Sequence, residues 1–285
     1  ELLHQFELER LEVNLFRGVS RDIGSPQVFG GQVLGQALMA ACATIDDRLV
    51  HSLHAYFLRR GDFNLPIIYN VDRSRDGRSF STRRVTAIQN GAQIFNCSCS
   101  FQIPEDGLEH QITMPDVPPP EALPPLAKPT PEQLAQLPEK ARRLFEKDPP
   151  FEFRPVQVLD PLAPRAAPPM RQVWEPNYEV NLGNDTVPDG EALHRCLLAY
   201  VSDYNLLDTA TLPHGASYLK GDLIMASVDH AIWFHRSMRV DDWLLYAMDS
   251  PSASGARGFA RGSIFARSGQ LVASVAQEGL IRAPH

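Results

Sequence analysis

The segment VFGGQVLGQALMAACATI, residues 28–45, places two adjacent glycines ahead of an almost unbroken run of apolar and small residues. Gly30-Gly31 reads as the start of a long helix that is apolar on nearly every face. Such a helix is stable only if other structure wraps it. A second segment, EALHRCLLAYVSDYNLL at residues 191–207, has a similar character. Behind each helix, alternating apolar residues broken by turn signals predict a meander of about four or five antiparallel strands.

The two meanders resemble each other. In residues 51–102 and 227–279, a His-Ala pair leads into an aromatic run ending at Arg59 or Arg236. Tyr69 and Tyr246 follow ten residues later, and Asp72 and Asp249 three after that. Asn90-Gly91 and Ser268-Gly269 occupy corresponding hairpin positions. The offset is 177 or 178 residues, too long for a solenoid repeat of ~20–50 residues and expected of a duplicated domain. A curved sheet wrapping a central helix is the hotdog fold. The expectation is therefore an α+β double hotdog, with two long central helices each wrapped by a curved antiparallel sheet.

Most of the 24 prolines fall between Pro104 and Pro176, a density incompatible with continuous regular structure. The expected organisation is an N-terminal hotdog over 1–103, a proline-rich linker over 104–171 and a C-terminal hotdog over 172–285. Inside the linker, Thr130, Pro131 and Gln133 spell a capping box with proline at the first helical position. Pro138 should break that helix, and EKARRLFEK should form a further short turn or two. The opening ELLHQFELERLEVNLFRG reads as an amphipathic helix without the features of a signal peptide.

A net charge of −7 argues against general nucleic-acid binding, which needs a basic surface. Arg59/Arg60 and Arg83/Arg84 are local candidates for holding an anionic group. No run approaches the ~18–20 apolar residues of a membrane span. The four cysteines, Cys42, Cys97, Cys99 and Cys196, form no C-x-x-C pattern; Cys97 and Cys99 alternate within an apolar strand as reduced thiols. A cytoplasmic location follows as the expectation. No histidine, cysteine and acid set has metal-ligand spacing, so neither a metal nor a cofactor is expected.

The segment ASVDHAIWFHR, residues 226–236, looks like a compressed hydrolase triad. Strand alternation would put Ser227 and Asp229 on one face and His230 on the other, and no G-x-S-x-G elbow is present. His230 and His235 accordingly read as strand histidines satisfied by structure. His54, in the first copy, is a candidate substrate contact, as is Arg59. Gly30 and Gly31 either let a substrate approach the helix N-terminus closely or serve as a tight turn into the helix.

The ordered blocks LFRG (15–18), QVFGGQVLGQAL (27–38), HAYFLRRGD (54–62), RDGRSFSTRRV (75–85), SVDHAIWFHR (227–236), WLLY (243–246), SASGARGF and ASVAQEGLIR resemble the acyl-CoA thioesterase II family in its bacterial form, over almost the whole chain. That resemblance implies hydrolysis of medium- to long-chain acyl-CoA without an acyl-enzyme. It assigns the orientation of the attacking water to Asp203 in YVSDYN, Ser227 in ASVDH and Gln277 in VAQEG. Many members carry threonine where this chain has Ser227, and either residue supplies one hydroxyl. It further implies an acyl-CoA substrate, with CoA as part of substrate and product, a role in fatty acid metabolism, and a homodimer or homotetramer. The Ala-Pro-His ending lacks the Ser-Lys-Leu-like address of peroxisomal members. Three rivals make different demands. A hydratase or dehydratase needs a histidine–acid pair, a non-catalytic acyl-CoA binder should have lost a member of the trio, and a serine esterase needs the compressed triad.

Overall fold

The computed structural model describes residues 2–147, 149–177, 189–221 and 223–283. The first unit comprises β1 (Glu9–Glu12), β2 (Leu15–Gly18), α1 (Gly30–Cys42), β3 (Leu49–Phe57), β4 (Ile67–Asp76), β5 (Phe80–Gln89) and β6 (Ala92–Gln102). The bridge holds α2 (Pro131–Ala135), α3 (Glu139–Arg142) and β7 (Glu152–Pro155). The second unit comprises β8 (Met170–Asn177), α4 (Glu191–Val201), β9 (Ile224–Ser227), β10 (Asp229–Phe234), β11 (Leu244–Ser254), β12 (Arg257–Ala266) and β13 (Leu271–Arg282).

The strands form one continuous sheet in the order β1-β2-β4-β5-β6-β3-β10-β13-β12-β11-β8-β7, with β9 paired to β13. Each copy contributes the same five-strand pattern, read outward from the β3–β10 seam. In that seam His54 lies opposite Ala231, its own counterpart at the repeat offset, so a pseudo-twofold passes between them. The ladders repeat in detail as well. Asp72 pairs with Arg84 as Asp249 pairs with Arg261, and a bulge follows at the same place in both copies. Asn90 and Gly91 take φ of 48° and 73°, and Gly269 takes 85°, the left-handed values that these hairpins need.

The two apolar helices lie against each other in the shared core. They run antiparallel: a methyl on Gly31 would collide with the Tyr200 carbonyl oxygen, and one on Gly35 would sit 2.9 Å from the Cys196 carbonyl oxygen. Glycine is needed at both points because backbone meets backbone. The N-terminus of α1 is thereby placed beside the C-terminal end of α4.

The N-terminal segment departs from expectation. Leu3–Phe6 is one short 3-10 turn, and β1–β2 form a hairpin at the sheet edge instead of an amphipathic helix. Its charged residues suit either form, but Phe16 gains burial on β2 while all four residues of β1 stay exposed. The Thr130 capping box is present, and Pro138 separates α2 from α3. Within the bridge β7 adds a strand beside β8, and Met114, Val117 and Leu123 pack on Trp174, Trp243, Leu245 and Phe265. The terminal Pro284-His285 lies outside the described residues.

Candidate functional site

Asp203 lies in the turn just past α4, Ser227 ends β9 and Gln277 sits mid-way along β13. The fold brings these three elements together at the N-terminus of α1. The Gln277 Nε2 amide donates to Asp203 Oδ1 at 2.6 Å and lies 3.1 Å from Ser227 Oγ, while Ser227 Oγ donates to Asp203 Oδ1 at 3.4 Å. Gln277 is fully buried, and its carbonyl Oε1 has no hydrogen-bond partner among the described residues. A buried acceptor without a donor is costly, and one beside a carboxylate can accept a hydrogen bond from a donor such as water.

Gly30 forms the wall of this site. A methyl there would stand 2.7 Å from Asp203 Oδ2 and 3.1 Å from the Phe57 ring. The helix begins with no side-chain cap, so its first N–H groups and the positive end of its dipole are presented at the site. Gly31 faces the α4 backbone instead, where it serves close helix packing.

His230 belongs to the same cluster, contrary to the alternation expected from sequence. Between Ser227 and Ala231 the chain advances four residues while β13 advances three, from Gly279 to Ala276. This one-residue bulge resets the pleat, so Ser227 and His230 share the inner face. His230 is fully buried. Its Nδ1 is 3.1 Å from Gln277 Nε2 and 3.8 Å from Asp203 Oδ1, and its Nε2 is 2.9 Å from Ser202 Oγ. Burial pushes the imidazole below the ordinary histidine range, with Asp203 pulling weakly the other way. Asp229 points elsewhere and accepts from the Glu278 N–H at 2.6 Å, with its carboxyl raised by burial.

These contacts remove the triad on new grounds. Both ring nitrogens of His230 are engaged by Ser202 and Gln277, so neither is free to take a proton from Ser227. The same engagement answers the hydratase rival, whose histidine–acid pair must present a nitrogen to substrate.

The other sequence candidates fall elsewhere. His54 is exposed on the opposite face of the sheet, edge-on to Trp233 at 5.0 Å. The Arg59 guanidinium donates to the Gln93 carbonyl at 2.6 Å, as Arg236 does to that of Leu271 at 2.9 Å. Arg83 is buried, 2.7 Å from Asp76 and 2.9 Å from Thr44 Oγ1, which commits it to structure and not to an anionic ligand. All four cysteines are free thiols.

Residues 19–102 match the model of the acyl-CoA thioesterase N-terminal domain, and residues 140–280 match that of acyl-CoA thioesterase. The chain is 42% identical to acyl-CoA thioesterase 2 of Haemophilus influenzae over 99% of its own length and 96% of the relative's. The crystal structure of an acyl-CoA thioesterase II from Mycobacterium marinum superposes with a TM-score of 0.78 at 42% identity, covering 100% of this chain and 99% of that one. A hot dog-fold protein from Alicyclobacillus acidocaldarius matches with a TM-score of 0.77 at 17% identity, over 99% and 98% of the two chains, which shows the fold alone.

Proposed function

Because this chain belongs to the acyl-CoA thioesterase family, we propose that it hydrolyses medium- to long-chain acyl-CoA to free fatty acid and CoA, using a water oriented by Asp203, Ser227 and Gln277. The observation that carries this reading is the orphaned Gln277 Oε1 buried beside the Asp203 carboxylate. Asp203 is the one group of the trio able to take a proton, because the amide and the hydroxyl are not bases at neutral pH.

Water attacks the thioester carbon, one of its protons passes to Asp203, and the C–O bond forms as the carbonyl becomes an oxyanion. The uncapped N-terminus of α1 at Gly30 supports that charge with backbone N–H groups and helix dipole. Collapse breaks the C–S bond, and the CoA thiolate leaves with the proton that Asp203 took from the water, which restores the carboxylate. Ser227 and Gln277 fix geometry; positioning of this kind lowers a barrier by several kcal/mol, of an available ~7–11 kcal/mol. No acyl-enzyme is formed on Ser227, and no cofactor takes part, since CoA belongs to the substrate. Self-association as a homodimer or homotetramer and action in the cytoplasm complete the reading; the free thiols support the latter.

The test is thiol release across a chain-length series of acyl-CoAs. Asp203→Asn should lower kcat by at least about 10²-fold, and mass spectra during turnover should show no acylated protein. Undiminished release by Asp203→Asn removes the assignment.

A further inference from the structure

His230 has a hydrogen-bond environment that fixes where its single proton sits. The Ala199 carbonyl can only accept, and Ser202 Oγ donates to it at 2.9 Å. The Ser202 oxygen is then left to accept from His230 Nε2–H at 2.9 Å. With the proton on Nε2, the bare Nδ1 faces the Gln277 amide nitrogen at 3.1 Å and accepts from it. The chain of donors ends on Asp203 Oδ1, which takes the other amide proton at 2.6 Å.

We propose that His230 is a positioning residue for hydrolysis: as the Nε2–H imidazole it takes one Gln277 amide proton at Nδ1 and so holds the Gln277 carbonyl Oε1 toward the attacking water. The proposal rests on the reading of Asp203, Ser227 and Gln277 as the water-orienting set. With both amide protons committed, the amide cannot turn over, because reversal would set Oε1 against the Asp203 carboxylate and against the Nδ1 lone pair. Ser227 Oγ, at 3.1 Å, is a third acceptor on the nitrogen side beside Asp203 Oδ1 and His230 Nδ1, so only the oxygen side is left for a donor.

The duplicated half gives an independent comparison. By the repeat offset, His230 corresponds to Leu53 and Gln277 to Cys99, two apolar residues that lie opposite each other between β3 and β6. The first copy therefore lacks both members of this contact. The histidine is not a requirement of the strand or of the seam, since Leu53 fills the corresponding place fully buried. It accompanies the polar set in the copy that holds Asp203.

Two substitutions in the full chain separate positioning from packing. Asn places a side-chain oxygen near the Nδ1 position and keeps an acceptor for Gln277, whereas Leu matches the first copy and supplies none. His230→Leu should lower kcat by about 10²-fold with little change in KM, because the loss is one of geometry at the reacting centre. His230→Asn should stay within about tenfold of the parent despite filling the site less well. Equal kcat for two folded variants, or losses confined to KM, overturns the proposal. If neither variant folds, selective 15N-histidine labelling of the parent protein decides: a proton on Nε2 of His230 at pH 7.5 supports the assignment, and one on Nδ1 overturns it. Failure of the underlying reading shows separately, as absence of thiol release by the parent chain or normal release by Asp203→Asn.

Discussion

At the scale of single residues, the site combines one charged acceptor with neutral groups whose roles differ in weight. Ser227 meets Asp203 at 3.4 Å, a long contact. Ser227→Ala should therefore lower kcat by about tenfold, a smaller loss than Asp203→Asn, in keeping with one neutral hydrogen bond of ~1 kcal/mol. A second carboxyl makes a stability prediction. Glu175 is buried on β8, with Oε1 lacking a partner among the described residues and Oε2 3.3 Å from Asn205 Nδ2. Burial pushes its carboxyl well above the usual range, and Asn205 and Arg171 only partly oppose this. The folded chain thus holds a proton that the unfolded chain releases above its ordinary value of 4.5. Stability is lost as pH rises from there toward the raised value. Glu175→Gln keeps the shape and should raise the thermal midpoint at pH 8 more than at pH 5. Nothing in the sequence around Glu175 marks it as buried, since its environment is assembled by Asn205 from beyond α4. Asp203, Ser227 and Gln277 come from three distant stretches and were legible only through the family resemblance. His230 was legible as a residue but not as a neighbour, because a period of two carries no information about a bulge.

At the scale of elements, the glycines at the start of α1 divide into two kinds. Gly31→Ala drives a methyl into the Tyr200 carbonyl oxygen. It should cost about 1–3 kcal/mol of stability, the usual price of overpacking between backbones, measured by denaturant unfolding. Gly30→Ala meets the Asp203 carboxylate instead, so its effect should fall on kcat more than on the unfolding midpoint. The reverse ranking would show that Gly30 serves packing alone. Both glycines looked alike in sequence as a helix start. What separates them is which neighbour each faces, and that depends on how α1 and α4 cross. The apolar character of both helices, the hairpin turns and the capping box were legible because each depends on a few adjacent residues. The β1–β2 hairpin was not, since its choice over a helix rests on an edge of β4 that forms far along the chain.

At the scale of the whole molecule, four of the nine histidines share one behaviour. His51, His194, His230 and His235 are all held below the ordinary histidine value of 6.5, each chiefly by burial. Between that value and their lowered folded values, the unfolded chain binds protons that the folded chain does not. Stability contributed by these groups is full above about pH 6.5 and falls as pH drops below it. The thermal midpoint should accordingly decline from pH 7 to pH 5, less steeply once His194 and His235 are both replaced by Gln; a flat profile contradicts this. The pseudo-twofold seam has a mechanical consequence. Because β3 and β10 are neighbours in one sheet and α1 and α4 share one core, neither copy closes its own interior. Calorimetric melting should then show a single endotherm with matching van 't Hoff and calorimetric enthalpies. A duplication built in this way protects the divergent half. The copy with Leu53 and Cys99 at these places shares its core and its sheet with its sister, so the polar cluster of the other half is carried on packing supplied by a partner that can never dissociate.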